Sequence, residues 1–208
     1  MKQLRLPAIL LGAFVLLSVF VVIGWTQWVD WVATYNAIAN RNRFLTSLAV
    51  NFTSLGSAPI CTAIALIAAA LFVLAGRTRW VIALLWLPLC STINGWIKLL
   101  VEHPRPAVAL IPIPSSFGYP SGHVAAATSL YLTLALLAAQ TQSQRGVRRM
   151  LIAAGLTLPV IVAWTRVYLG VHYFSDVVGG MLLGSAGALA VTASPWVVQP
   201  RHSTPPQP

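Results

Sequence analysis

Residues 7–28 read PAILLGAFVLLSVFVVIGWTQW, 22 residues without a single charge. A helix needs about 20 consecutive apolar residues to cross the hydrocarbon core of a bilayer. Lys2 and Arg5 precede the run, as in the basic start of a signal peptide. A cleaved signal carries only roughly 7–15 apolar residues. The first Ala-x-Ala site after the run, Ala37–Ala39, lies well past its end. The stretch is therefore expected to be a retained first membrane span.

The rest of the chain agrees with a membrane setting. Of 208 residues, 58% are hydrophobic and 8% charged, and the mean hydropathy is +0.80. Soluble domains carry about 25% charged residues, so this chain cannot cover a globular surface with charge. Disordered and collagen-like chains are excluded by the same composition. A β-barrel would alternate over strands of about ten residues, which the long unbroken apolar runs do not do. The expected fold is all-α, an integral membrane bundle of six transmembrane helices with a short interfacial segment after the first. The remaining spans are expected at Ala58–Ala75, Trp80–Ile97, Gly122–Ala139, Leu151–Leu169 and Val177–Trp196. Pro159 is expected to kink the fifth, with neighbouring helices satisfying the freed backbone. Gly179, Gly180, Gly184 and Gly187 give the sixth a small-residue face suited to close helix packing.

Six spans put both termini on one side. That side carries Lys2, Arg5, Arg77, Arg79, Arg145, Arg148, Arg149 and Arg201. The other carries Arg41, Arg43, Lys98, Arg105 and Arg166. The positive-inside rule makes the first side cytoplasmic. On the outer side, Val29–Ser57 mixes polar and scattered apolar residues like an interfacial helix. Val101–Pro120 is Pro-rich and too broken to span. Residues 1–199 are read as one domain and 200–208 as a disordered Pro-rich tail.

The net charge of +10 reflects missing acids, since only Asp30, Glu102 and Asp176 occur. No basic stripe on a soluble face suits nucleic acid; basic loops beside anionic lipid fit the count. Cys61 and Cys90 sit inside apolar stretches and read as packing residues, with neither disulfide nor metal-ligand spacing.

Chemistry-bearing residues gather at three places on the outer face. Lys98 ends the third span and Arg105 follows seven residues later; these could be a snorkelling lysine and an ordinary loop arginine, or anion ligands. Tyr119-Pro120-Ser121-Gly122-His123 opens the fourth span. Ser121 is a good N-cap there, and the first helical amides could meet an anion beside His123. A plain capped helix with an interfacial His is the competing reading. Thr165-Arg166, His172 and Asp176 form the third group. Spacing of four puts His172 and Asp176 in contact on a helical turn, where a carboxylate fixes the imidazole tautomer and frees the other nitrogen as a nucleophile. A purely structural pair is costly near membrane depth. Three cations, a helix start, a His–Asp pair and a second His make the inventory that phosphoryl transfer requires. No carboxylate cluster is available for a divalent metal, and no cofactor is expected.

The arrangement Lys98-x6-Arg105-Pro106, Pro120-Ser121-Gly122-His123, Arg166-x5-His172-x3-Asp176 resembles the type 2 phosphatidic acid phosphatase superfamily, which includes vanadium haloperoxidases and bacterial acid phosphatases. One departure is Thr165, where the third motif usually begins with Ser; Thr keeps the hydroxyl, so a small effect on phosphate contacts is expected. The resemblance implies that His172 attacks phosphorus, Asp176 orients it and His123 protonates the leaving oxygen. It implies that Lys98, Arg105 and Arg166 hold the phosphoryl oxygens, with Ser121 and Gly122 donating hydrogen bonds. Glu102 and His103 match no required position and read as loop residues. The implied activity is a membrane lipid phosphatase at the outer leaflet, with undecaprenyl diphosphate, phosphatidylglycerophosphate or phosphatidate as substrate. The polyprenyl diphosphate is slightly favoured, because carrier recycling releases it on the outer face. A phosphotransferase of the same fold is one alternative. A transporter subunit is another, although no inverted repeat is visible. The sequence says nothing of oligomeric state.

Overall fold

A computed structural model describes residues 4–197, and the expected tail at 200–208 lies outside the described residues. Every regular element among the described residues is helical. The first helix, α1 (Arg5–Val22), ends earlier than expected, because Gly24 takes φ +79° and turns the chain into α2 (Gln27–Ala39). Only glycine adopts such a φ readily. The interfacial segment is thus two helices, α2 and α3 (Arg43–Thr53). Asn42 caps α3, its Oδ1 accepting from Leu45 N at 2.9 Å. A short 3₁₀ turn at Ser54–Gly56 leads into α4 (Ala58–Leu74), bent by 51° from the helix before it.

The third span comes in two pieces, α5 (Thr78–Leu84) and α6 (Trp86–Val101). Pro88 lacks the N–H that would bond the carbonyl of Leu84, the kind of loss that interrupts a helix. The fourth span begins as α7 (Gly122–Ala127), passes through a π-helical stretch at Thr128–Leu132 and ends as α8 (Thr133–Gln140). Next, α9 (Arg145–Tyr168) runs unbroken through the buried Pro159. The last helix, α10 (Phe174–Thr192), starts three residues earlier than its apolar run, which brings Asp176 into its first turn. Among the described residues, five helical segments, Arg5–Val22, Thr78–Val101, Gly122–Gln140, Arg145–Tyr168 and Phe174–Thr192, are long and apolar enough to cross a membrane, and the bent α3–α4 pair brings the total to six. The chain is a multi-pass membrane protein.

Helix α10 is the hub, packing on α1, α2, α6, α7, α8 and α9. Its glycines allow this. A Cβ on Gly180 would lie 2.7 Å from the Ser121 carbonyl oxygen, and one on Gly187 would enter the Trp86 ring. The expected small-residue face is therefore a packing face for α7 and α6. At one end of the bundle, Trp80, Ala83, Leu137 and Val197 form a buried cluster beside the α4–α5 turn. At the other, Ala49, Tyr168, Leu169 and Val171 pack against Ala109 and Ile111. Arg41, counted at first only as a loop charge, ties this second end together by donating to the carbonyls of Tyr168 (3.2 Å) and Val108 (2.9 Å). The chemistry-bearing residues collect at this end.

Candidate active site

The loop from 102 to 121 folds over the ends of α6, α9 and α10, and its carbonyls hold the cations. Lys98 Nζ donates to the carbonyls of Phe117 (2.6 Å) and Gly118 (3.1 Å). Arg105 donates through Nε to Ser116 O (2.8 Å), through Nη2 to Phe117 O (3.1 Å) and through Nη1 to Val171 O (2.8 Å). The same Nη1 lies 3.0 Å from His172 Nε2. Arginine has no acceptor, so Nε2 carries the lone pair in this contact. Nδ1 then carries the proton and donates to Asp176 Oδ2 at 3.0 Å.

The His172–Asp176 contact was expected from a helical turn, but it forms differently. His172 precedes α10. Asp176 at the third helical position reaches back, also accepting Tyr173 N at 3.0 Å in a capping box. The backbone N–H groups of Val171 and His172 both donate to the Arg166 carbonyl, which curls this segment under the end of α9. His172 is 2% exposed. Burial lowers its pKa, to about 4; the hydrogen bond and charge of Asp176 oppose this, and Arg105 and Arg166 add to it. The imidazole is therefore neutral at neutral pH, with its Nε2 lone pair turned to Arg105 Nη1. Burial likewise lowers the Arg105 pKa, against the pull of Asp176.

Arg166 is 3% exposed and donates from Nη1 to Thr53 Oγ1 at 2.8 Å. Its Nε has no partner among the described residues, and neither does the fully buried Ser121 Oγ. Ser121 occupies the N-cap position of α7 but makes no side-chain cap bond. The expected cap is thus a backbone one. Ser121 N donates to Asp176 O (2.9 Å), and its own carbonyl accepts Ala125 N (2.9 Å). The amides of Gly122 and His123 open the helix without intrahelical acceptors, as first-turn amides do. His123 is half-buried and lies within range of the charges of Lys98, Arg105 and Arg166 and of His172. Lys98, Arg105, Ser121, Gly122, His123, Arg166, His172 and Asp176 thus share one end of the bundle. The Thr165 hydroxyl donates to Val162 O at 2.7 Å within its own helix.

Three residues outside the expected site belong to this architecture. His103, read as a loop residue, places Nδ1 2.9 Å from Asp176 Oδ1. Asp30, on α2, is buried and accepts both Ser175 N (2.7 Å) and Ser175 Oγ (2.8 Å), capping α10 from another helix. Thr53 anchors Arg166. No local spacing signals these contacts, because each joins segments far apart in the chain.

A buried neutral histidine oriented by a carboxylate, beside arginines and orphaned donors in a helical membrane bundle, is an arrangement suited to phosphoryl transfer. The sequence comparisons agree. The PAP2 superfamily profile matches residues 79–200. Phosphatidylglycerophosphatase B of Bacillus subtilis strain 168 is 29% identical over 181 residues, covering 86% of this chain and 89% of that one. The undecaprenyl-diphosphatase of Sulfolobus acidocaldarius is 35% identical over 81 residues, 39% of this chain and 35% of that one. The crystal structure of the transmembrane PAP2-type phosphatidylglycerolphosphate phosphatase from Bacillus subtilis superposes with a TM-score of 0.82 at 26% identity, covering 89% of this chain and 94% of that one. The chain belongs to the PAP2 superfamily and is a membrane lipid phosphatase of that type.

Proposed function

We propose that this phosphatase hydrolyses a lipid phosphate or diphosphate through a phosphohistidine on His172, at the extracytoplasmic face of the cell membrane. Residues 1–199 act as one phosphatase domain. The carrying observation is the buried His172 ring, with Nδ1–H bonded to Asp176 and the Nε2 lone pair on the side of Arg105. In the first step the Nε2 lone pair bonds to phosphorus, displacing the Arg105 contact, while the bond from phosphorus to the lipid oxygen breaks. His123 gives that oxygen its proton. The positive charge arising on the imidazole is balanced by Asp176. In the second step water attacks the phosphohistidine, passes its proton to His123, and the P–N bond breaks to release phosphate and neutral His172.

The charge spread over the phosphoryl oxygens calls for fixed donors aimed at it. Lys98, Arg105 and Arg166 supply charge, and Ser121 Oγ, Arg166 Nε and the amides of Gly122 and His123 supply free donors. Both buried acids at this end, Asp30 and Asp176, already accept hydrogen bonds from protein groups. The reaction as written therefore uses the three cations in place of a metal.

Undecaprenyl diphosphate, phosphatidylglycerophosphate and phosphatidate are the candidate substrates, the first two in keeping with the names of relatives. Purified protein assayed against these three lipids decides among them. Phosphate release should be blocked by orthovanadate and survive EDTA. Loss in EDTA with rescue by magnesium would contradict the metal-free reaction. Sidedness is tested by single-Cys labelling of intact cells after Cys61 and Cys90 are replaced. A Cys at Ala107 should label and one at Gln144 should not; the reverse pattern would invert the proposed orientation.

A further inference from the structure

Asp176 is held on both oxygens. Oδ2 accepts His172 Nδ1 and Tyr173 N, each at 3.0 Å, and Oδ1 lies 2.9 Å from His103 Nδ1. Both carboxylate oxygens are acceptors, so His103 Nδ1 carries the proton and donates. A carboxylate bound through one oxygen can turn about its terminal torsion, which is broad and roughly two-fold. Such a turn would carry Oδ2 away from His172. A donor on Oδ1 opposes it.

The chain places His103 with some care. Glu102 ends α6 at φ +49°, a left-handed conformation unusual for a side-chain-bearing residue. That turn directs the next residue back toward α10. The His103 carbonyl accepts Gly118 N at 2.7 Å, and the His103 ring lies 5.3 Å from the Tyr173 ring. A Cβ on Gly118 would stand 2.9 Å from Asp176 Oδ2, so the loop that receives His103 passes close to the carboxylate with no room for a side chain. On its other side His103 borders a cavity of about 910 Å³, lined also by Val21, Trp28, Tyr35 and Pro106. His103 is thus the wall between that cavity and the buried acid.

We infer that His103 is a positioning residue of the phosphatase reaction: its Nδ1–H fixes the rotation of the Asp176 carboxylate, and through it the orientation and tautomer of the His172 nucleophile. The inference rests on the phosphohistidine reading above. His103 touches no reacting atom. Its effect falls on the transition state, because the ground-state phosphate contacts belong to other residues.

The test compares His103→Leu with His103→Asn in purified full-length protein, using dioctanoyl phosphatidate as substrate and orthovanadate as transition-state mimic. The Asn side-chain nitrogen is as many bonds from Cβ as His Nδ1, so it can donate to Oδ1; Leu cannot. Leaving a buried charged acceptor short of a donor should lower kcat about tenfold or more. KM should stay within about twofold, since uniform substrate binding is untouched. The inhibition constant for orthovanadate should rise in step with the loss of kcat. His103→Asn should recover most of both. A structural role alone would reduce the active fraction without moving the orthovanadate constant. Wild-type kcat in His103→Leu, or equal impairment in His103→Asn, would overturn the inference while leaving the phosphatase reading intact. If His103→Leu does not fold, His103→Gln, whose amide is one methylene too far, replaces it: loss with Gln and retention with Asn supports the inference, and parity overturns it. Wild-type protein that neither releases phosphate nor binds orthovanadate would remove the underlying reading and this inference with it.

Discussion

Replacing Arg166 separates a phosphate ligand from a bland interfacial cation. Among the described residues its side chain makes one hydrogen bond, from Nη1 to Thr53 Oγ1, and its Nε is buried without a partner. Arg166→Ala therefore removes one bond from the fold, a loss of about 1 kcal/mol. The Arg166 carbonyl, which receives Val171 N and His172 N, is unaffected. The catalytic loss should be larger. Removing one donor aimed at transition-state charge costs about 2.7–4 kcal/mol, which is roughly a hundredfold to nearly a thousandfold in kcat. Arg166→Lys should also be impaired, because an ammonium does not reproduce the planar fork and has no Nε. Thr53→Val, which frees the guanidinium, should have a weaker effect of the same kind. The control is Arg149→Ala at the opposite end of α9, which should leave kcat unchanged. The assay is phosphate release from dioctanoyl phosphatidate in detergent micelles, with folding checked by circular dichroism and size-exclusion chromatography. Equal, mild losses at Arg166 and Arg149 would refute the phosphate-clamp assignment.

Gly118→Ala should inactivate a folded protein, since the methyl group would stand 2.8 Å from the Pro104 carbonyl oxygen and 2.9 Å from Asp176 Oδ2; normal turnover would mean the loop moves freely. Asp30→Ala should lower the thermal midpoint in detergent, because Ser175 N and Oγ lose buried acceptors at about 1–3 kcal/mol of stability; an unchanged midpoint would show that α2 does not brace α10. Burial disfavours the charged form of His172, so the ring should stay neutral as pH falls below the ordinary histidine value and gain a proton only near pH 4. Nitrogen-15 spectra of histidine-labelled protein should show the Nδ1–H tautomer at pH 5.5; an imidazolium there would contradict the burial argument.

The parts legible in the sequence were those encoded locally. Apolar run length located the spans, and the spacing of Lys98, Arg105, His123, Arg166, His172 and Asp176 pointed to one anion site. Boundaries were less legible where a single residue decides them. Gly24 ends α1 by its backbone conformation, and Trp25 and Trp28, apolar enough to extend the run, fall beyond it. The start of α10 is set by the capping box at Tyr173 and Asp176 rather than by hydrophobicity. Least legible were His103, Asp30 and Thr53. Asp30 meets Ser175 across 145 residues, Thr53 meets Arg166 across 113 and His103 meets Asp176 across 73. Their roles come from tertiary placement, and nothing in the flanking residues encodes it. The scarcity of acids was the one available hint. With only three in the chain, two of them buried, each buried carboxylate had to have donors to offset its desolvation.

The central claim is that His172 becomes covalently phosphorylated. Rapid mixing of purified protein with phosphorus-32-labelled dioctanoyl phosphatidate, followed by alkaline quench and peptide mass spectrometry, tests it directly. The account predicts an acid-labile, base-stable phosphoryl group on His172, absent in His172→Ala and accumulating in His123→Ala only if the leaving oxygen is already a good leaving group. No label on His172 in turning-over wild-type enzyme, or the same label in His172→Ala, would contradict it.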